Sequence, residues 1–593
     1  MSRKEYTKGG SFLISQVEPQ DIFTPEDFTE EHRMIQDTVK KFIAGEVVPN
    51  NDKIEKLDYD LLKELLKKAG ELGLLGLEIG EDFGGTDLDK ISATIVAEES
   101  AVSPSFSVTM GAHSGIGTLP IVYYGTKEQK EKYLPNLAAG ECVSCYALTE
   151  AGSGSDAMGA KTKAVLDDDK KNFTLNGSKM FITNGGIADL FIVFAKIDGE
   201  QFSAFIVERE FKGVSTDKEE KKLGIKGSST TVVNLENVKV PAENLLGEPG
   251  MGTKIALNIL NFGRFKLGAG CIGACKNTIS NVLKYTSERE QFGKTINRFG
   301  MIQEKIANMA IKTYAGESAV YRTTGLIQKL VDTIDKSAED AQKKILKSIE
   351  EYSIECSIIK VFGSEVLDYV VDEGVQCYGG YGYSQEYPVE SAYRDSRINR
   401  IFEGTNEINR MLIPGMLLKK GMKGELNLMA AVKEVQNEIT EFPGLAEETG
   451  ELLEKEKRLI ANAKKGILLI SGAGTQKFGM ALQDEQEFLG KAADCIMELY
   501  ALESVVLRAL RIASYKGGKG ASLYLDIAAV YAMEAAFKID ARLKECAAMI
   551  YEGDELKVLL SAVKRFLKYV PVNTKILRRN IALHLIEQGR YLL

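Results

Sequence analysis

A chain of 593 residues, at roughly 150 residues per domain, has room for about four structural units and needs neither disulfide nor metal to fold. With 75 Lys and Arg against 84 Asp and Glu the net charge is −9, which disfavours nucleic acid as the main partner, because phosphate neutralisation needs clustered cations. Hydrophobic residues at 44% and charged residues at 27% describe an ordinary globular protein rather than a disordered or fibrous one.

The three histidines, His32, His113 and His584, lie far apart without metal-ligand spacing, so no metal site is expected and a catalytic base should be a carboxylate. Cys142 and Cys145 form a C-x-x-C, but zinc would need a second such pair, and none is present. The opening MSRKEYTKGGSFLIS lacks the apolar core of a signal peptide, and no apolar run approaches the ~18 residues of a membrane span. A reducing, cytoplasmic setting without stable membrane insertion is the expectation.

In chain order, residues 1–24 read as an N-terminal arm. Thr24-Pro25-Glu26-Asp27 then supplies a cap, a first-turn proline and two acids at the positive end of a helix dipole, so a helix is expected to begin there. Leu61, Leu62, Leu65, Leu66 and Ala69 recur at helical spacing, with Gly70 placed to end that helix, and helical patterning defines a domain over 25–136. Over 137–251 the pattern changes to short apolar runs, Ser144 to Thr149, Phe191 to Lys196, Phe202 to Val207 and Thr231 to Val240, separated by Gly, Asn and Asp clusters, as in a small β domain. The helical period returns over 252–420, and a further helical block occupies 421–593 after a loop expected at Lys419 to Gly424. Glu-Lys-rich stretches such as Lys336 to Glu351 and Glu447 to Arg458 read as solvated helix faces. From Lys419 to Phe442, Lys419, Lys420, Lys423 and Lys433 are balanced by Glu425, Glu434, Glu438 and Glu441, which does not make a basic interfacial helix.

A formal G-x-G-x-x-G occurs at Gly268 to Gly273. It lies inside a helical run instead of following a strand, so small residues for close helix packing explain it better than a dinucleotide fold. Tyr146-Ala147-Leu148-Thr149-Glu150-Ala151-Gly152-Ser153-Gly154-Ser155-Asp156 is a strand running into a Gly/Ser-rich turn, whose N–H and hydroxyl groups can cradle an anionic or carbonyl-rich ligand or form a plain polar loop. Met180-Phe181-Ile182-Thr183-Asn184-Gly185-Gly186 puts an aromatic and a hydroxyl on one strand face, where they can flank a planar cofactor or simply pack.

Two more segments, Arg289-Glu290-Gln291-Phe292-Gly293-Lys294 and Gln376-Cys377-Tyr378-Gly379-Gly380 through Arg400-Ile401-Phe402-Glu403-Gly404-Thr405-Asn406-Glu407-Ile408, complete a set of four. In this order and at these separations the four segments closely resemble the acyl-CoA dehydrogenase family over about residues 27–420. The resemblance implies an α+β, mainly α fold: an N-terminal helical domain, a central β domain and a C-terminal four-helix domain, here with an extra C-terminal helical domain. It also implies FAD between the β domain and the four-helix domain.

Carried over residue by residue, Tyr146 to Ser155 would lie along the flavin, with Leu148 and Gly154 among its contacts. Thr149 would hydrogen-bond the ring, and Ser155 would also reach the CoA portion of the substrate. Phe181 stands where many relatives have tryptophan, and this chain has no Trp. Beside it are Ile182 and Thr183, the latter a donor to flavin N5. Arg289, Gln291, Phe292, Gln376, Gly379 and Gly380 match positions that touch the FAD of a neighbouring subunit, so an oligomer is implied, and a homodimer is expected because the extension should cover the surface used for tetramers. Thr405 and Glu407 complete the cofactor set, and Asn261, Arg264 and Gly404 match substrate-side positions. Glu403 matches the catalytic base, while Gly263 occupies the alternative position at which some relatives carry that glutamate.

The implied reaction removes the α-proton of an acyl-CoA with Glu403 and transfers the β-hydride to flavin N5, giving a trans-2-enoyl-CoA as in fatty-acid β-oxidation. The Glu403 backbone N–H would help polarise the thioester carbonyl, and an electron-transfer flavoprotein would take the electrons. The extension over 421–593 resembles that of very-long-chain relatives. Gly111 and Ala112 stand where shorter-chain relatives have larger residues, so long chains are expected. Two alternatives stay open from the residues alone: an acyl-CoA oxidase using O₂, and a non-catalytic, nucleic-acid-associated flavoprotein on the same scaffold.

Overall fold

The structure, a computed structural model, describes residues 6–439 and 449–593. Residues 1–5 of the expected arm, Glu441 of the charge-balanced stretch and the start of the Glu447 to Arg458 stretch lie outside the described residues.

The N-terminal layer contains α1 (Glu30–Phe42), α2 (Asn51–Ile54), α3 (Tyr59–Glu71), α4 (Lys90–Ser100), α5 (Pro104–Gly111), α6 (Leu119–Tyr124) and α7 (Lys127–Ala138). Two expected boundaries move. Thr24 caps only a single 3₁₀ turn, Pro25–Asp27. The chain re-extends at Phe28, and the helix starts at Glu30, where Thr29 accepts from the His32 N–H at 3.2 Å and Glu30 and Glu31 meet the helix dipole. Gly70 does not end α3. It lies within the helix because the Ala139 carbonyl presses where a side chain would be, and the left-handed residue after the helix is Gly73, at φ +74°.

The central sheet runs β6 (Val214–Thr216), β7 (Thr230–Pro241), β3 (Asn172–Thr183), β2 (Lys163–Leu166), β4 (Leu190–Ile197), β5 (Gln201–Glu208) and β8 (Leu245–Leu246), with β1 (Ser144–Ala147) parallel to β4. Alternation sends Phe191, Val193 and Ala195 of β4 into the core of the β domain, and Leu190, Ile192 and Phe194 into the core shared with the helices. The sheet is therefore welded to the helical domains through its central strand. His113 adds a polar weld: Nε2 donates to the Leu137 carbonyl at 2.9 Å, and Nδ1 accepts from the Ser144 N–H at 3.1 Å.

After the hairpin-forming pair β9 (Glu290–Gln291) and β10 (Lys294–Thr295), which follows α8 (Gly252–Glu288), come α9 (Gly300–Val331), α10 (Ala341–Glu351), α11 (Ser353–Tyr378), α12 (Pro388–Ser396) and α13 (Asn406–Met422). The formal G-x-G-x-x-G lies inside α8. A Cβ at Gly268 would sit 3.2 Å from the Ile359 carbonyl of α11, and one at Gly363 would sit 3.3 Å from the Gly268 carbonyl, so these glycines let α8 and α11 cross backbone to backbone. The loop expected at Lys419 to Gly424 is shorter: Lys419 to Met422 still belong to α13, where Leu417 and Lys420 are buried. Lys336 to Glu351 is also not wholly a solvated face, since Ile345, Leu346 and Ile349 of α10 are buried.

The extension adds α14 (Leu428–Glu438), α15 (Glu454–Phe478), α16 (Gln486–Gly520), α17 (Ser522–Ile550), α18 (Gly553–Phe566) and α19 (Thr574–Gln588). Its seat is ionic as well as apolar. Arg508, fully buried, bridges Glu26 at 2.7 Å and Glu317 at 2.6 Å over the ring of Tyr314. Glu503 joins Arg322 at 2.7 Å to Lys464 at 2.5 Å, and Asp494 joins Arg410 at 2.9 Å to Arg542 at 3.0 Å. Among the described residues no helix is long and apolar enough to cross a membrane, no His/Cys/Asp/Glu group could hold a metal, and the eight cysteines are free.

Candidate active site

The turn that precedes α13 has unusual backbone. Glu403 at φ +58° and Gly404 at φ +79° both adopt left-handed conformations, which for a glutamate cost of order 1–3 kcal/mol and persist only where the surroundings impose them. Three donor side chains impose them here. Arg264 Nε donates to the Glu403 carbonyl at 3.3 Å, Asn409 Nδ2 to the Gly404 and Thr405 carbonyls at 2.8 and 3.0 Å, and Lys360 Nζ to the Gly404 carbonyl at 2.8 Å. Thr405 caps α13 by accepting from the Ile408 N–H at 3.2 Å.

The same turn aims the Glu403 side chain at α8. Its Oε2 is sealed from solvent without a hydrogen-bond partner, and burial pushes the carboxyl up to about 7 although Arg264 and Lys360 pull the other way. Gly263 makes room for it: a Cβ there would overlap Oε2 and lie 2.6 Å from the carboxyl carbon.

Glu403, Phe402 and Thr183 line one end of a cavity of about 580 Å³ that follows α8 past Leu267, Gly270 and Ala274 to Asn281. At 1.5 Å per residue, the stretch of α8 from Gly263 to Asn281 covers about 27 Å. Val96, Ala97, Val108, Met110, Gly111 and Ala112 supply the facing wall, and a Cβ at Gly111 would meet nothing within 4 Å. A charged strip interrupts this wall, and elsewhere the lining includes Asp52, Glu55, Lys226, Glu390, Arg394 and Asp395. Glu78 and Lys266 pair with each other, and Lys90 reaches Glu78 at 2.5 Å; burial opposes ionisation of Glu78, but the two lysines overcome it and hold the carboxyl down at about 2.

The two segments expected beside the flavin come together. The Met180 N–H donates to the Thr149 carbonyl at 2.8 Å, and buried Lys179 joins Glu150 at 2.7 Å, fixing the Gly/Ser turn against β3. A register shift between Lys179 and Ile182 leaves Phe181 at φ +57° and 60% exposed, with Ile182 buried and Thr183 on the cavity wall. Tyr146 and Leu148 are buried, the Tyr146 Oη without a partner, while Gly154 and Ser155 are exposed. Asn261, on α8, accepts from Arg264 Nη1 at 2.9 Å. Arg289, Gln291, Phe292, Gln376, Gly379 and Gly380 do not approach Glu403. All are exposed, on the β9–β10 hairpin and the end of α11, which Arg289 links by lying over the Tyr381 ring at 5.4 Å. Glu407 is exposed on the first turn of α13.

The N-terminal, middle and C-terminal domains of acyl-CoA dehydrogenase match residues 29–141, 145–238 and 250–417, and a second acyl-CoA dehydrogenase C-terminal domain matches 462–565. Over 587 residues the chain is 50% identical to the probable acyl-CoA dehydrogenase of Bacillus subtilis (strain 168), covering 98% of each. The chain belongs to the acyl-CoA dehydrogenase family. It is similar to the mitochondrial very long-chain specific acyl-CoA dehydrogenase of Rattus norvegicus, with 37% identity across 85% of this chain and 78% of that one. The crystal structure of acyl-CoA dehydrogenase complexed with FAD from Bacillus anthracis superposes with a TM-score of 0.97 at 50% identity, covering 99% of this chain and 100% of that one.

In this dehydrogenase, Lys360, Asn406 and Asn409 shape the Glu403 turn and went unread in the sequence. A lysine inside a helix, an asparagine within a motif and another just beyond it carry no local signal of their partners. Moving the Glu403 carboxylate by even an ångström should be costly, so Gly263→Ala is expected to retain the fold yet slow flavin reduction by acyl-CoA by about 10²-fold. Stopped-flow bleaching of the purified variant checks this, and a parental rate contradicts the close approach of Gly263 and Glu403.

Proposed function

We propose that this acyl-CoA dehydrogenase binds FAD and oxidises long-chain acyl-CoA thioesters to trans-2-enoyl-CoA, within cytoplasmic fatty-acid β-oxidation, passing electrons to an electron-transfer flavoprotein. The observation that carries the proposal is the carboxyl of Glu403, desolvated and without a hydrogen-bond partner, at one end of a long, mostly apolar cavity. The residues present fit a flavin: Phe181 is a large exposed aromatic held in a strained turn, the buried Tyr146 Oη lacks a partner, and Thr183 stands on the same wall as Glu403. When bound, FAD supplies the two-electron acceptor that no side chain can provide.

The chain's own residues do the rest. Glu403, ionised, takes the weakly acidic α-proton of the thioester, and burial gives it the basicity for that transfer near neutral pH. Its turn, held by Arg264, Asn409 and Lys360, keeps the carboxylate from swinging away. Ser155, Asn261, Arg264 and Gly404 form the CoA and thioester side, while the cavity beyond takes the acyl tail and excludes water.

His113 is unsuited to serve as the base. Burial drives its imidazole down to about 4, and both nitrogens are engaged with Leu137 and Ser144. Glu403→Gln is therefore expected to keep FAD and acyl-CoA binding but slow flavin bleaching by at least ~10³-fold, within the 10²–10⁴ of a positioned general base, whereas His113→Gln costs far less. The base works only when ionised, so bleaching by the parent should rise with pH through about 7 and then level off. A glutamine variant within tenfold of the parent rate contradicts the assignment.

Chain-length preference rests on the cavity. An extended chain advances about 1.2 Å per bond, as a peptide does at 3.3–3.6 Å per three bonds, so about 27 Å of wall accepts on the order of 20 carbons. Dye reduction across acyl-CoAs from short to long should peak among the long ones, and Gly111→Leu, filling open space, should shift the optimum several carbons shorter. A peak at the shortest substrates in the parent contradicts this preference.

The exposed hairpin and α11 end, with Phe292 at 93% exposure, suit contact with the flavin of a second copy of the chain. Light scattering of the yellow protein should give the mass of two chains, and a flavin-loaded monomer contradicts it.

A further inference from the structure

Glu403 shares its pocket with two buried cations, Arg264 at 4% and Lys360 at 0% exposure, and among the described residues neither cation forms an ion pair. The remaining deeply buried lysines do not resemble this. Lys90, Lys179 and Lys420 are each matched to a carboxylate at contact distance, Glu78, Glu150 and Glu351. Lys360 instead donates to two neutral oxygens, the Gly404 carbonyl and Asn406 Oδ1, both at 2.8 Å. Asn406 is itself fixed, since its Nδ2 donates to Ser364 Oγ and Glu365 Oε1 at 3.1 Å.

Two neutral acceptors could be satisfied by a neutral donor. An ammonium buried without a counter-ion is expensive, and its presence at this position calls for a use of the charge itself. The carboxylate whose field it meets is that of Glu403, one residue before the carbonyl it grips, and Glu403 also has no partner for Oε2.

We propose that Lys360 is a positioning residue of the reaction, clamping the turn at residues 403–406 and holding Glu403 ionised by its charge inside a site that would otherwise protonate it. The proposal rests on Glu403 being the base. Around Lys360 the other titratable or charged groups are Cys271 and Arg264 of α8 and Glu407 of α13, and Tyr146 of β1 and Arg264 face Glu403. Of the two cations, Arg264 holds the Glu403 carbonyl and Asn261, whereas Lys360 holds the next carbonyl and the first residue of α13. Burial lowers the Lys360 ammonium to about 8, so it is still charged where Glu403 is losing its proton. As Glu403 takes the substrate α-proton and becomes neutral, both cations remain, and their field favours the negative charge that develops on the thioester during the transfer.

The test separates charge from hydrogen bonding. Infrared titration of the FAD-loaded protein without substrate, with the Glu403→Gln spectrum subtracted, reads the Glu403 carboxyl directly. Lys360→Gln keeps a donor for the Gly404 carbonyl but no charge, and should raise the Glu403 midpoint by about one pH unit, the order of shift that a nearby opposite charge produces. The acid limb of flavin reduction should move with it, and Lys360→Arg should restore the parent midpoint. If Lys360→Gln does not fold, Lys360→Met, unbranched and apolar, removes the charge together with the donor, and its infrared midpoint should rise likewise. An unmoved infrared midpoint in a folded neutral variant, however slow its turnover, overturns the role of Lys360. A moved midpoint with an unmoved flavin-reduction profile instead overturns Glu403 as the base.

Discussion

Hiding a carboxylate from water is the constraint around which the four-helix domain is arranged. As the proposed base, Glu403 gains basicity from desolvation, which at the same time threatens to leave it protonated and inert. The structure meets both demands with backbone and charge. A left-handed turn at Glu403 and Gly404 delivers the side chain to α8, where Gly263 has no Cβ to obstruct it. Arg264 from α8 and Lys360 from α11 both reach this turn, and the two helices cross backbone to backbone. Gly268 and Gly363, facing each other across the crossing, make that approach sterically possible.

Much of this could be read in advance because it is written locally. The strand-to-turn segment at Tyr146 to Ser155, the aromatic at Phe181 and the run from Ile401 to Ile408 are contiguous stretches, and through the family resemblance their order along the chain pointed to Glu403 as a candidate base and to a candidate flavin wall. The β domain announced itself through short apolar runs whose observed strands begin or end within a few residues of the expected limits. What could not be read depends on distant partners. Lys360 is one lysine among many until α11 crosses α8. The Glu78, Lys90 and Lys266 strip joins residues from two domains.

The misplaced boundaries have the same origin. Thr24-Pro25-Glu26-Asp27 carries every local sign of a helix start, but Phe28 is drawn into an aromatic cluster with Phe23, His32 and Tyr321, which extends the chain before α1 begins. Gly70 resembles a helix terminator and serves as a clearance for the backbone of Ala139. Glycine and capping residues state a local preference, and tertiary contacts decide whether it is exercised.

The Arg508 junction bears on how the polypeptide is made. Its guanidinium joins Glu26, near the start of the chain, to a helix 482 positions later, and this bond and its Glu317 partner lie in the interior. During synthesis at roughly 5–20 residues per second, Glu26 leaves the ribosome tens of seconds before Arg508 exists, since domains are completed from the N-terminal end onward. Through that interval Glu317 has Lys276 as a partner, while Glu26 stays solvated at the edge of an unfinished surface. The first segment is thus the last to be locked, and the nascent dehydrogenase reaches its final ionic closure only after the extension has emerged.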